Sequence, residues 1–341
     1  MEGSQKSYNT ITTRFLERFD FFWNEMLRNV CTQQVQLIIG NRLRPQICLW
    51  GYLATIQPNE LSCHDFDKIA NVAVSIEMVH KASLLLDDWI DNDNERHGHP
   101  SFHVEYSPQY AVLFALNMIG VSMRRLENVF SPSIILPHHY YICIDTLIKT
   151  ICDMAKGALE ELRLQSTDYF DCEKVREITQ LETSSIIRNS FLLGYYVGAG
   201  NNRNEQIEKT FTKIGDQCGY IFQALNDLEA YGNPQQLKNH KGSLNLDLFS
   251  NRKNLAVATL YEVANKRDQA LLNQVDEADL LRLMKKYRIV ESMVTEVNTV
   301  YEDILSSVAN LCSLGLPADW CEGLCWFLSR VKKFAEERLK G

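Results

Sequence analysis

Apolar side chains recur along this chain at intervals of three to five positions, and strict alternation is not sustained over the length of a strand. The stretch Tyr140 to Arg163 is typical: Ile142, Leu147, Ile151, Met154, Ala158 and Leu162 form a stripe that predicts a helix with one buried face. No proline lies between His138 and Asn233 or between Gln235 and Leu316, so long helices are permitted there. Breaks are predicted at Gly40 to Pro45, Asn92 to Pro100, Gly198 to Asn204 and Gly232 to Ser243, each rich in turn-forming residues. The pattern therefore predicts an all-α bundle with helices of roughly 15 to 30 residues. No repeat or linker divides it, so one domain is expected over residues 1–341, with a flexible N-terminus over 1–20.

Composition adds exclusions. A formal net charge of −8 with no Lys/Arg run counts against nucleic acid as a partner. An anionic substrate would then need a local remedy, such as metal ions held by carboxylates. The first residues lack the apolar core of a secretory signal, and no uninterrupted apolar stretch long enough to span a bilayer is apparent, so a cytoplasmic protein without a membrane span is expected. Ten scattered cysteines with no CxxC pair predict small buried residues rather than a disulfide framework or a zinc site.

The candidate chemistry begins at Leu84-Leu85-Leu86-Asp87-Asp88-Trp89-Ile90-Asp91, an apolar helix ending in acid. On a helix Asp87 and Asp91 share a face one turn apart with Asp88 adjacent, an arrangement suited to hard cations. Arg96, His97, His99 and His103 follow within one loop, placing phosphate donors beside metal ligands.

The segment from Glu77 to His103 resembles the first aspartate-rich region of the trans-prenyl diphosphate synthases, and further blocks fall in that family's order. The resemblance implies a bundle of the class I isoprenoid synthase type with a central active-site cavity, a homodimer, and two or three Mg²⁺ ions. By it, Asp87, Asp88 and Asp91 hold metal, and Arg96 contacts the allylic diphosphate. Asn226 and Asp227, in Phe222-Gln223-Ala224-Leu225-Asn226-Asp227, stand for the second metal-binding motif with Gln223 beside them. Arg44 and His80 would grip isopentenyl diphosphate, while Thr183, Lys241 and Lys253 would serve the allylic diphosphate, Lys241 also as a catalytic group.

Four positions depart from the family pattern. Asn41 stands for a lysine and His97 for an arginine, both in the isopentenyl diphosphate site. Each missing charge-assisted bond is worth about 1.5 to 3 kcal/mol, so that ligand is expected to bind poorly. Glu182 stands for a lysine and is expected on a helix surface; Ala230 stands for the last aspartate of the second motif, with Glu229 near enough to compete for its role. The expected activity is ionisation of an allylic prenyl diphosphate, C15 to C20 because Ala82 and Ser83 are small, and transfer of the prenyl group to an acceptor in isoprenoid or terpenoid biosynthesis. Cyclisation by a terpene synthase, ordinary chain elongation and an inactive regulatory subunit stay open.

Overall fold

In the computed structural model, residues 2–30, 37, 40–130, 138–167, 171–232, 253–272 and 276–340 are described. Long helices dominate: α1 (Glu2–Val30), α2 (Leu43–Leu53), α3 (Cys63–Ile90), α5 (Pro108–Phe130), α6 (His138–Gln165), α8 (Ser185–Ala199), α9 (Glu205–Gly232), α13 (Ile289–Ser313) and α14 (Ala318–Lys340). Shorter helices join them: α4 (Phe102–Glu105), α7 (Cys172–Thr179), α10 (Leu255–Val263), α11 (Lys266–Leu271) and α12 (Glu277–Lys286). Among the described residues, the strands are β1 (Glu95–Arg96) and β2 (His99–Pro100), one small hairpin. The all-α expectation holds, and the predicted breaks at 40–45, 92–100 and 198–204 fall between helices. The break from Gly232 to Ser243 lies almost wholly outside the described residues.

Helix α3 is the centre of the bundle. Ser62 caps it reciprocally: the Asp65 N–H donates to Ser62 Oγ at 3.3 Å and the Ser62 N–H to Asp65 Oδ2 at 2.9 Å. From Ile69 to Met78 almost every side chain is buried, as expected of a helix surrounded by others, here α1, α2, α5 and α8. By length and composition α3 is apolar enough to cross a membrane, which the sequence reading did not anticipate; in this fold 67% of that window is buried among its neighbours.

Helix α8 packs on α2 through two glycines. A Cβ at Gly51 would collide with the Phe191 carbonyl, and one at Gly194 with the Cys48 carbonyl, so the backbones touch reciprocally. Gly194→Ala is expected to lower unfolding free energy by about 2 kcal/mol through overpacking. Urea unfolding measures this, and an unchanged midpoint would show that the helices separate without cost.

Within α1, Tyr8, Phe15 and Phe19 are buried in the core. Two expectations change. Helix α6 forms as predicted, but its buried stripe runs through Cys143, Thr146, Leu147 and Thr150, and Leu162 is exposed. The threonines are tolerated inside because Thr146 Oγ1 donates to Ile142 O at 2.7 Å and Thr150 Oγ1 to Thr146 O at 2.8 Å. Cysteines are not uniformly buried: Cys63 and Cys152 are exposed, and Cys312 at the end of α13 is bonded to Cys321 on α14. Cys31 lies outside the described residues.

Candidate active site

The first acidic segment closes α3. Acids at a helix C-terminus face the negative end of the peptide dipoles, an unfavourable placement that calls for a cation nearby. For Asp88 that cation is Arg96. The Arg96 Nε donates to Asp88 Oδ1 at 2.6 Å and Oδ2 at 2.9 Å, and its Nη2 lies 3.4 Å from Asp87 Oδ2. Asp88 is buried, while the Asp87 side chain is 52% exposed. Of the three aspartates, Asp88 is tied to the hairpin through Arg96, whereas Asp87 is exposed and Asp91 half-buried.

The hairpin itself explains one departure. Arg96 pairs with His99, leaving a two-residue turn in which His97 (φ 53°) and Gly98 (φ 76°) are both left-handed. His97 is exposed on that turn. Phe102, Tyr106, Tyr110 and Phe114 stack in succession below, fixing the hairpin's exit to α5.

The second acidic segment lies on α9. Thr183 Oγ1 donates to Gln223 Oε1 at 2.7 Å, Gln223 Nε2 donates to Asp227 Oδ1 at 2.8 Å, and Asp227 Oδ2 accepts from the Leu255 N–H at 2.8 Å. Thr183, Gln223 and Asp227 thus form one chain that ends on the N-terminus of α10, where an acid is favoured. Asn226 is exposed, whereas Glu229 is buried.

Between the two segments sits Glu182, which had been expected on a helix surface. Residues Gln180–Ser184 form a π-turn, with the Ser185 N–H donating to Gln180 O. Such a bulge re-aims the side chains it carries. A Cβ at Gly157 of α6 would strike Glu182 Cγ, so the missing side chain is the space the glutamate occupies. Burial first, then the charges of Glu161, Asp87, Asp91 and Asp227, push the Glu182 carboxyl up to about 9. Acids from α3, α6, α9 and the π-turn therefore share one electrostatic neighbourhood.

That donor set, all hard oxygen, fits Mg²⁺. Among the described residues no three His, Cys, Asp or Glu side chains already form a metal-binding cluster. Lys241 lies outside the described residues. Lys253 is buried, with Nζ donating to Leu164 O at 2.7 Å, Thr167 O at 2.5 Å and Thr167 Oγ1 at 3.1 Å. It caps the C-terminal turn of α6, and contact with a diphosphate would require giving up those bonds.

A second cluster lies one turn deeper. Arg44 lies half-buried at the start of α2 with Nε lacking a hydrogen-bond partner, and Glu77 Oε2 is likewise unpartnered. Burial, then the charges of Arg44, Lys81 and Arg96, hold the His80 imidazole well below its usual range, so it is neutral. Lys81 and Glu161 were missed in the sequence. Lys81 directly follows His80, and Glu161 stands one turn after Gly157; both were legible only once neighbouring helices were placed.

A cleft of about 700 Å³ elsewhere is lined by Asp171, Arg176, Gln180, Asp216, Tyr220 and Glu296 and includes none of the motif aspartates. Its charged walls do not suit a prenyl chain.

A family model described as polyprenyl synthetase matches residues 24–293. Heptaprenyl diphosphate synthase component 2 of Geobacillus stearothermophilus is 26% identical over 69% of this chain and 67% of its own length. Geranylfarnesyl diphosphate synthase of Methanosarcina mazei is 26% identical over 60% of each. Some curated relatives are thus matched over less than two thirds of their length. In fold, the crystal structure of geranylgeranyl pyrophosphate synthetase from Pyrococcus horikoshii superposes with a TM-score of 0.76 at 20% identity, covering 96% of this chain and 98% of that one. With most of its length matched by the family model, this chain belongs to the polyprenyl synthetase family.

Proposed function

We propose that this chain is a Mg²⁺-dependent prenyltransferase that ionises an allylic prenyl diphosphate and passes the prenyl group to an acceptor. The observation that carries the reading is the convergence of Asp87, Asp91 and Asp227 on the neighbourhood of Glu182. Two or three Mg²⁺ ions held there by Asp87, Asp91, Asp227 and Asn226 would neutralise the diphosphate as it departs. The protein's own part is to hold those acids apart on rigid helices, to keep Asp88 and Arg96 as the fixed edge of the cleft, and to shield the reacting carbon from water. Ala82, buried, and Ser83, whose Oγ donates to His80 O at 2.9 Å, are small side chains one turn above Asp87 and support a C15 to C20 substrate.

A cytosolic homodimer is the assembly we propose. Exposed Leu113 and Leu116 on α5 with Ile148, Leu159 and Leu162 on α6 supply apolar surface for a second copy. Light scattering reads the mass directly.

The deciding experiment incubates the purified chain with farnesyl or geranylgeranyl diphosphate and Mg²⁺, with and without isopentenyl diphosphate, and weighs the products. Diphosphate release that requires Mg²⁺ is expected. A hydrocarbon made without acceptor would assign cyclisation, a lengthened diphosphate would assign elongation, and no release from any C10 to C20 substrate would make the chain an inactive subunit.

A further inference from the structure

We propose that the charged cleft between α7, α9 and α13 is a second binding site, for a linear polyamine, and that its occupant acts on the π-turn carrying Glu182. The proposal goes beyond prenyl transfer and does not depend on what becomes of the prenyl group.

At about 700 Å³ the cleft is far larger than a single ion needs and matches a small organic molecule. Its carboxylates stand on separate elements: Asp171, Glu173 and Glu177 at the start of α7 and along it, Asp216 on α9 and Glu296 on α13. Lys174 and Arg176 also line it, but both are engaged. Lys174 Nζ donates to Glu177 Oε2 at 2.6 Å and lies 3.6 Å from Glu160 Oε2, while Arg176 makes two bonds to Glu262, at 2.7 and 2.6 Å. Farther out, Lys156 acts on Glu177, and Arg188 and Lys149 act on Asp216; Glu160, Glu262 and Asp153 offset them. The excess of acid therefore survives the count. Among the described residues no cation forms an ion pair with Asp171, Glu173 or Glu296.

The cleft also presents an acceptor without a donor. Gln217 Nε2 donates to Asp303 Oδ2 at 2.5 Å, whereas Gln217 Oε1 is buried and accepts no hydrogen bond. A metal ion does not answer this arrangement, because the acids are spread over three elements and form no metal-binding cluster among the described residues. A polyamine does. Its ammonium groups donate to carboxylates on different walls, and the methylenes between them lie against Val300 and the Tyr220 ring.

One element links the cleft to the reacting centre. Gln180 and Ser184, the two ends of the π-turn, both line the cleft, and Glu182 between them lies among the acids of both motifs. A Cβ at Gly219 of α9 would strike Ser184 Cα, so turn and helix are in backbone contact with no slack. A ligand held by both stiffens the turn.

The test is calorimetric titration of the full chain with spermidine in saturating Mg²⁺, which engages the motif aspartates, and with 1,4-butanediol as an uncharged control. Wild type is expected to bind one spermidine per chain and no butanediol. The Glu173→Gln, Glu296→Gln double variant, altered only at exposed side chains, should bind about 10-fold more weakly, and Asp87→Asn within about 2-fold of wild type. Spermidine should also slow hydrogen exchange at the Ser185 N–H, which bonds Gln180 O, about 5-fold in wild type. No saturable binding, or full wild-type affinity in the double variant, would overturn the site. Affinity lost in Asp87→Asn and kept in the double variant would place the polyamine at the motif aspartates and overturn it too. Binding with unchanged exchange at Ser185 would overturn the action on the π-turn. Neither measurement needs turnover, so failure of the prenyl-transfer reading is told apart from failure of this one.

Discussion

Asp87→Asn is expected to lower kcat on an allylic diphosphate about 100- to 1000-fold with unfolding free energy nearly unchanged, whereas Asp88→Ala is expected to lose activity and about 3 kcal/mol of stability together. The contrast follows from placement. Asp87 is half exposed and the Arg96 guanidinium lies 3.4 Å away, so removing its charge disturbs little of the folded state and relieves some repulsion at the end of α3. Its loss falls on the departing diphosphate, where preorganised charge matters most. Asp88 is buried and accepts both Arg96 Nε contacts. Without it, a guanidinium 24% exposed keeps only the longer 3.4 Å contact with Asp87. Steady-state kinetics and urea unfolding of both variants measure the two effects; equal stability loss in each would refute the division of roles between neighbouring aspartates.

Much of the fold was legible because helix periodicity and punctuation are local properties. The stripe through 140–163 and the breaks near 40, 92 and 198 needed no knowledge of neighbours. What failed depended on neighbours. Thr146 and Thr150 face inward, against their polarity, because each hydroxyl bonds its own helix. The seat of Lys253 against the end of α6 likewise emerges only once that helix is set beside it. In the candidate site, the sequence located the acids but could not divide Asp88 from Asp87, since that depends on where the hairpin returns Arg96. Glu182 was misplaced for a related reason: the π-turn at 180–184 rotates it by an amount that ordinary helix spacing does not anticipate, and Gly157, which makes room for it, lies on another helix.

The same glutamate gives the clearest expected dependence on pH. Its carboxyl titrates near 9 in the folded, metal-free protein against 4.5 ordinarily. A folded-state value raised above the unfolded one means that the folded chain holds a proton the unfolded chain has released. The associated stability is fully present below about pH 4.5 and is lost as pH rises toward about 9. Allowing for solvent screening and for coupling to the neighbouring acids, the loss across that window is on the order of 3 to 4 kcal/mol. Ordinary carboxylates have finished titrating by about pH 6, and the histidines and cysteines that titrate above it are common to wild type and Glu182→Gln, so the difference between the two slopes reads Glu182. In EDTA, unfolding free energy should therefore fall between about pH 6 and 9, Glu182→Gln should remove most of the fall, and Mg²⁺ should suppress it in wild type by supplying positive charge to the same acids. A metal-free Glu182→Gln protein that kept the wild-type slope would place Glu182 away from the acids of both motifs. A slope untouched by Mg²⁺ would instead separate the acidic cleft from the metal.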